Sequence, residues 1–171
     1  SKTLAKKCVY AKVNDVDYDL NRPILKDSTL VLVTLDDEGI NDFLNHSCSH
    51  LMASAIKRLY PKAMFGVGPA IEEGFYYDVN PGEGEKITEE DLEKIEKVML
   101  EIANHEMTFE RIEVSKEEAL KFFKKDKYKQ EIINELEEGV TITLYKHDDF
   151  CDLCRGPHVP NTKFLKFFKL L

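Results

Sequence analysis

Residues 41–61 constrain the fold more than any other stretch. After Asn41 and Asp42, residue types that cap helices well, Leu44, Cys48, Leu51, Met52, Ala55, Ile56 and Leu59 recur at the helical period until Pro61 stops it. The spacing predicts one long helix with an apolar stripe. Upstream, runs at 9–13, 16–20 and 30–35 are β-rich and are broken by Asn14-Asp15 and Arg22-Pro23, which predicts a few strands joined by turns. Their apolar content is too small for a core of their own, so this part reads as the remnant of a small β-rich module whose beginning is missing. The acidic Asp36-Asp37-Glu38-Gly39 marks the boundary, giving an expected organisation of 1–36 and 37–171.

Downstream, runs at 63–71 and 75–79 flank Glu72-Glu73-Gly74 and predict a hairpin or two neighbouring strands. Thr88 with Asp91, and Ser115 with Glu118, have capping-box spacing and open two helices, while Asp126 caps a third through Leu136. Residues 109–114 and 140–145 read as strands, the latter alternating as a half-buried one. Helices mixed with short, hairpin-linked strands predict an α+β fold with a mostly antiparallel sheet.

With 171 residues, 43% of them hydrophobic, the chain can bury the core of roughly one domain plus a small appendage. Lys and Arg total 24 against 32 Asp and Glu, and the net charge of -8 argues against a protein that tracks nucleic acid by bulk charge. Any RNA contact must be local. Residues 115–130 carry six lysines against three acids, and residues 154–171 carry one arginine and three lysines with no acid, so these are the stretches that could meet phosphate. No run approaches the ~18 apolar residues of a membrane span and no export signal opens the sequence. The expectation is a cytoplasmic protein whose Cys8, Cys48, Cys151 and Cys154 are free thiols, ligands or catalytic groups.

His46 and His50 lie four apart on the long helix, about 40° from each other around its axis, and can converge on one atom. On a helical wheel the aliphatic stripe centres near ~50° and the two histidines fall near ~200° and ~240°, which predicts that they point away from the core. Two solvated surface histidines are the plain alternative. Cys154 and His158 form a second pair on a tight Gly-Pro loop, and together the four are the nitrogen and sulfur set that tetrahedral zinc prefers. Cys151 and Cys154 could instead form a Cys-x2-Cys redox or zinc-knuckle pair, although no βαβ context precedes them. Lys129 falls in the first turn of the helix that Asp126 caps, where the dipole disfavours a cation, so its charge has a use elsewhere or is simply solvated. Tyr76 and Tyr77 alternate across a strand; one ring should face the core and the other could line a cleft.

Taken together, four strings resemble the editing domain of threonyl-tRNA synthetases: Asn45-His46-Ser47-Cys48-Ser49-His50-Leu51, then Gly66-Val67-Gly68-Pro69 with Glu73-Gly74-Phe75-Tyr76-Tyr77-Asp78, then Tyr128-Lys129, and finally Asp152-Leu153-Cys154-Arg155-Gly156-Pro157-His158-Val159-Pro160. The resemblance runs from about Phe43 to the end, and Leu20-Asn21-Arg22-Pro23 resembles the second half of the TGS β-grasp module that precedes such domains. It implies hydrolysis of the ester joining serine to the terminal adenosine of threonine tRNA, with no aminoacylation core in these residues. The partners it implies are the tRNA 3′ end carrying serine and the remaining synthetase domains, with no membrane. It assigns the catalytic site to His46, His50, Lys129, Cys154 and His158, with Tyr77, Asp152 and Arg155 on the substrate. Related alanyl-type domains hold zinc with the same ligand set, whereas the threonyl type works without metal, so no cofactor is expected to be required and zinc is possible at His46, His50, Cys154 and His158. A zinc-containing module that docks tRNA without hydrolysis is the alternative.

Overall fold

The computed structural model describes residues 2–171. A short helix, α1 (Lys2–Lys7), leads into β1 (Cys8–Val13). Asn14 and Asp15, at φ 50° and 63°, then reverse the chain into β2 (Val16–Tyr18). Asn and Asp tolerate this left-handed conformation, which makes them suited to so tight a turn. With β3 (Leu30–Thr34) on the other side, the first sheet has the order β2-β1-β3 and is antiparallel throughout. β1 is central and buries Cys8, Val9, Ala11 and Val13.

Helix α2 (Ile40–Leu59) starts after Gly39 at φ 78°, slightly earlier than the spacing predicts, with Asp42 in its first turn where a negative charge suits the dipole. One side packs on α3 (Glu89–Asn104) through Leu51, Ala55 and Ile56 against Ile95, Met99 and Ile102. Its other side is also covered, and residues 47–51 are all buried. The wheel expectation that His46 and His50 face away from the interior is therefore corrected. A wheel locates the apolar stripe, but here the polar stripe of α2 is roofed by a loop more than a hundred positions later in the chain.

Between α2 and α3 the expected hairpin forms in two pieces. Strands β5 (Ala70–Ile71) and β6 (Gly74–Phe75) pair around Glu72-Glu73, while β4 (Met64–Phe65) pairs with β7 (Val79–Asn80). The ladder loosens at Gly66-Val67-Gly68-Pro69, where the ring of Tyr77 occupies the space that a Cβ on Gly68 would take. Helix α3 opens with the expected capping box, in which the Thr88 N–H and hydroxyl both donate to Asp91 at 3.0 and 2.9 Å.

The second sheet is β8 (Glu110–Val114), β9 (Ile142–His147) and β10 (Phe150–Leu153) in the order β10-β9-β8, all antiparallel. Helices α4 (Lys116–Phe122) and α5 (Lys127–Glu135) cover it with Ala119 and Ile133 against Ile142 and Leu144. The strand β10 has no counterpart in the sequence expectation. A short run containing an aspartate gives no strand signal by itself and is held here by pairing with β9 and by α2 packed across it. The fold is α+β, as expected. No helix of the described residues is long and apolar enough to cross a membrane.

Candidate active site

Four of the expected residues meet. Helix α2 presents His46 and His50 one turn apart, and the chain leaving β10 carries Cys154 and His158 across them. The Cys154 Sγ lies 3.2 Å from His46 Nε2 and 3.3 Å from His158 Nε2, and it accepts the Gly156 N–H at 3.3 Å. The ligand-type atoms of all four residues lie within 4.8 Å of one another. The imidazoles also pack by their faces. His46 stacks on His158 with centroids 4.5 Å apart, His158 stacks on Phe109 at 4.8 Å, and His147 is tilted against Phe109 at 4.5 Å.

Lys129 is brought to the same region from the first turn of α5. Asp126 caps that helix as expected, accepting the N–H groups of Tyr128 and Lys129. The lysine is only 3% exposed. Its Nζ forms an ion pair with Asp152 at 2.7 Å and donates to the Gly66 carbonyl at 2.9 Å. A solvated lysine is thus excluded, and the unfavourable dipole position is offset by a buried carboxylate. The Tyr77 hydroxyl and the Leu153 N–H donate to the same carboxylate. Burial pushes the Asp152 carboxyl up, while Lys129, Tyr77 and Leu153 pull it down. Tyr76, by contrast, points to solvent.

These side chains border a cavity of about 290 Å³. His46, His50, Tyr77, Lys129, Cys154 and Arg155 reach it, with Gly66 and Gly68 forming part of the wall. His158 and Asp152 stand behind this surface, His158 packed on His46 and Asp152 on Lys129. Arg155 is the exposed member. Cys151 faces a different cavity, which sets it apart from Cys154 and leaves no Cys-x2-Cys pair at the site.

Burial dominates the electrostatics. His50 and His158 are held well below the ordinary histidine range, first by burial and then by the repulsion that a proton would meet from neighbouring basic groups, His46 and His147 among them. Burial lowers His46 as well, so the neutral imidazole is favoured at all three. Burial likewise pushes the Cys154 thiol up to about 12. The Tyr77 hydroxyl, buried beside Asp152, is raised well above its usual range and stays a donor.

The donor set fits a metal ion. Around zinc, with ligand bonds of ~2.0–2.3 Å, nitrogen and sulfur ligands stand roughly 3.5 Å apart, close to the His46–Cys154–His158 spacings. His50 Nδ1 is buried without a hydrogen-bond partner among the described residues. A His/His/Cys/His cluster able to bind a metal is therefore a property of the fold.

Sequence reasoning missed three supports. The Ser47 hydroxyl sits 3.1 Å from His158 Nδ1 and accepts the Val159 N–H at 3.2 Å, tying the loop to α2. The single Ser49 O–H is shared between the His46 carbonyl at 2.8 Å and the Gly68 carbonyl at 3.2 Å. Asp19, before α2, accepts from Tyr145 and from the His158 backbone. Small polar residues on a helix or a turn carry no distinguishing pattern; only Ser47 and Ser49, flanking Cys48 between the two histidines, offered a hint.

Residues 142–171, which hold β9, β10 and the Cys154–His158 loop, match the family described as Threonyl and Alanyl tRNA synthetase second additional domain. Along its whole length the chain is similar to threonine--tRNA ligases. It is 49% identical to that of Enterococcus faecalis (strain ATCC 700802 / V583) over 171 residues, covering 100% of this chain and 26% of the relative. Identity is 48% to that of Thermotoga petrophila (strain ATCC BAA-488 / DSM 13995 / JCM 10881 / RKU-1), covering 97% and 26%. For Carboxydothermus hydrogenoformans (strain ATCC BAA-161 / DSM 6008 / Z-2901) it is 45%, covering 100% and 27%. The chain thus spans about a quarter of the length of the relatives it matches.

Proposed function

We propose that this chain is the proofreading part of a cytoplasmic threonyl-tRNA synthetase and hydrolyses the ester that links serine to the terminal adenosine of threonine tRNA. The observation that carries the reading is the convergence of His46, His50, Cys154 and Lys129 on one open cavity, together with the family match over residues 142–171. In this reading residues 37–171 form the editing unit and residues 1–36 the end of a β-grasp module. The need is physical. A pocket built for threonine rejects serine, one methyl smaller, by only ~1–3 kcal/mol, so a second site must remove the error.

Water attacks the ester carbonyl, a neutral imidazole takes its proton, and as the ester C–O bond breaks that proton passes to the departing ribose oxygen, freeing serine from the tRNA. His46 is the better base. It is half-buried at the cavity wall and lowered by burial alone, whereas His50 is driven further down by burial plus neighbouring charge and binds a proton less readily. Lys129 stabilises the developing oxyanion: two of its three N–H groups are engaged by Asp152 and Gly66, and one remains for substrate. Cys154, protonated, and His158 shape the pocket around the substrate's amino and hydroxyl groups. Tyr77 and Asp152 hold Lys129, and exposed Arg155 meets the tRNA backbone. Affinity for tRNA comes mainly from the remaining synthetase domains, since a net charge of -8 gives this part little attraction for phosphate.

A second reading rests on the ligand cluster. Zinc at His46, His50, Cys154 and His158 would supply a Lewis acid or, with all four ligands closed, a structural staple for a docking module. The test is deacylation of seryl- and threonyl-tRNA by the wild type and by His46→Ala and His50→Ala, with zinc measured by elemental analysis. Serine-selective hydrolysis lost in the variants supports the first reading. Undiminished deacylation removes both histidines from the mechanism, and stoichiometric zinc with no hydrolysis overturns the first reading in favour of the second.

A further inference from the structure

Asp19 lies just after β2, in the part of the chain that contributes nothing to the cavity wall, yet its carboxylate reaches the site loop. One oxygen accepts the backbone N–H of His158 at 3.0 Å and the other accepts the Tyr145 hydroxyl at 2.7 Å. Both partners bear on the same imidazole. The Tyr145 ring stands edge-on to His158, with centroids 4.7 Å apart and planes at 69°. Gly156, at φ 67°, lies so close to the Tyr145 hydroxyl that no side chain could replace its hydrogen. Tyr145 is therefore the floor of the loop and one wall of the His158 ring, and Asp19 fixes floor and loop to one another.

Other contacts between the first sheet and the rest avoid the loop. The Arg22 guanidinium lies 4.1 Å over the Tyr18 ring and 3.8 Å from Glu113 on β8, and Tyr10 packs on Phe43 at 4.5 Å. Among the described residues, Asp19 is the charged side chain of residues 2–36 that touches the His158 segment. A charged acceptor on a backbone N–H makes one of the stronger hydrogen bonds, so the arrangement resists drift of the loop. We infer that Asp19 is a positioning residue for this site, setting the place of His158 and, through their stacking, of His46. The consequence for hydrolysis rests on the proposed function; the placement of His158 does not.

The experiment uses the full chain and two readouts. Histidine ring and backbone resonances are assigned by 1H–15N NMR in the wild type, Asp19→Ala, Asp19→Asn and Arg22→Ala. Steady-state deacylation of seryl-tRNA is measured on the same samples. The Asp19→Ala change should move the His158 amide and ring signals while the remote His105 signals stay in place, and should lower kcat about 10- to 100-fold with KM within about twofold. Asp19→Asn keeps an acceptor without the charge, serves as the milder variant should the alanine variant fail to fold, and should give a smaller displacement in the same direction and intermediate kcat. Arg22→Ala removes the ion pair to Glu113 and the stacking on Tyr18 but no contact of the loop, and should leave His158 unmoved. Unmoved His158 signals in both Asp19 variants, equal displacement in Arg22→Ala, or displaced signals with unchanged kcat each overturn the proposal. Displaced signals when even the wild type fails to deacylate sink the hydrolytic reading instead and leave the placement role standing.

Discussion

Lowering the pH loads protons onto the histidines of the unfolded chain before the folded chain can accept them, and His147 shows how much stability this costs. Its ring is 1% exposed, lies between Phe109 and Phe150, and has neither nitrogen hydrogen-bonded among the described residues. Burial pushes it from 6.5 down to about 4, with Arg58 adding to the fall and Asp148 opposing it. Between those values the unfolded state binds more protons, so stability rises with pH. The contribution is complete above about 6.5 and is lost as pH falls toward 4. At 1.36 kcal/mol per unit the full difference is about 3 kcal/mol, of which about 2 kcal/mol is gone by pH 5. His50 and His158 act in the same direction, so the wild type alone does not isolate one ring. His147→Leu does: similar volume keeps the packing change to roughly 1.5 kcal/mol or less at every pH, while the titrating group disappears. Urea unfolding followed by far-UV circular dichroism at pH 8 and pH 5 should show the wild type losing about 2 kcal/mol more than the variant. Parallel losses in the two proteins would refute a neutral, unpartnered His147.

Three further outcomes follow from the geometry. Lys129→Met strands Asp152 without its cation and should lower unfolding free energy by about 3–5 kcal/mol, with much of it recovered in the double variant Lys129→Met, Asp152→Leu; denaturant titration of the three proteins checks this. Ser47→Ala leaves the buried Val159 N–H without its acceptor and should cost about 1–3 kcal/mol in the same measurement, together with faster exchange of that amide. Gly156→Ala forces a Cβ into the Tyr145 hydroxyl at a positive φ and should cost at least about 1–3 kcal/mol, read as a lowered Tm, whereas alanine at Gly84, also at positive φ but open to space, should suffer the backbone strain alone.

Local rules carried much of the fold. The capping boxes at Thr88 and Ser115 and the Asp126 cap are written in neighbouring residues and are present as read, whereas β9, read from its alternation as half-buried, is buried on both faces from Ile142 to Tyr145 because helices cover one side and the site loop the other. The meeting of His46, His50, Cys154 and His158 was also legible, because paired spacings on a helix and a loop can be matched by chemistry. What escaped depends on contacts across long separations. The burial of His50 follows from a loop more than a hundred residues away, β10 exists through its partner β9, and the purpose of Lys129 appears only when Asp152 is set beside it. Asp19 and Ser47 were silent for the same reason: their value lies in which backbone N–H they meet.

The pile of flat rings from His46 through His158 and Phe109 to His147 restricts motion as well as shape. No imidazole in it can swing without its neighbour yielding space, so their rotational freedom is given up when the chain folds and not when a guest arrives. An incoming molecule therefore meets, at His46, a wall already braced from behind that does not have to be ordered when it arrives.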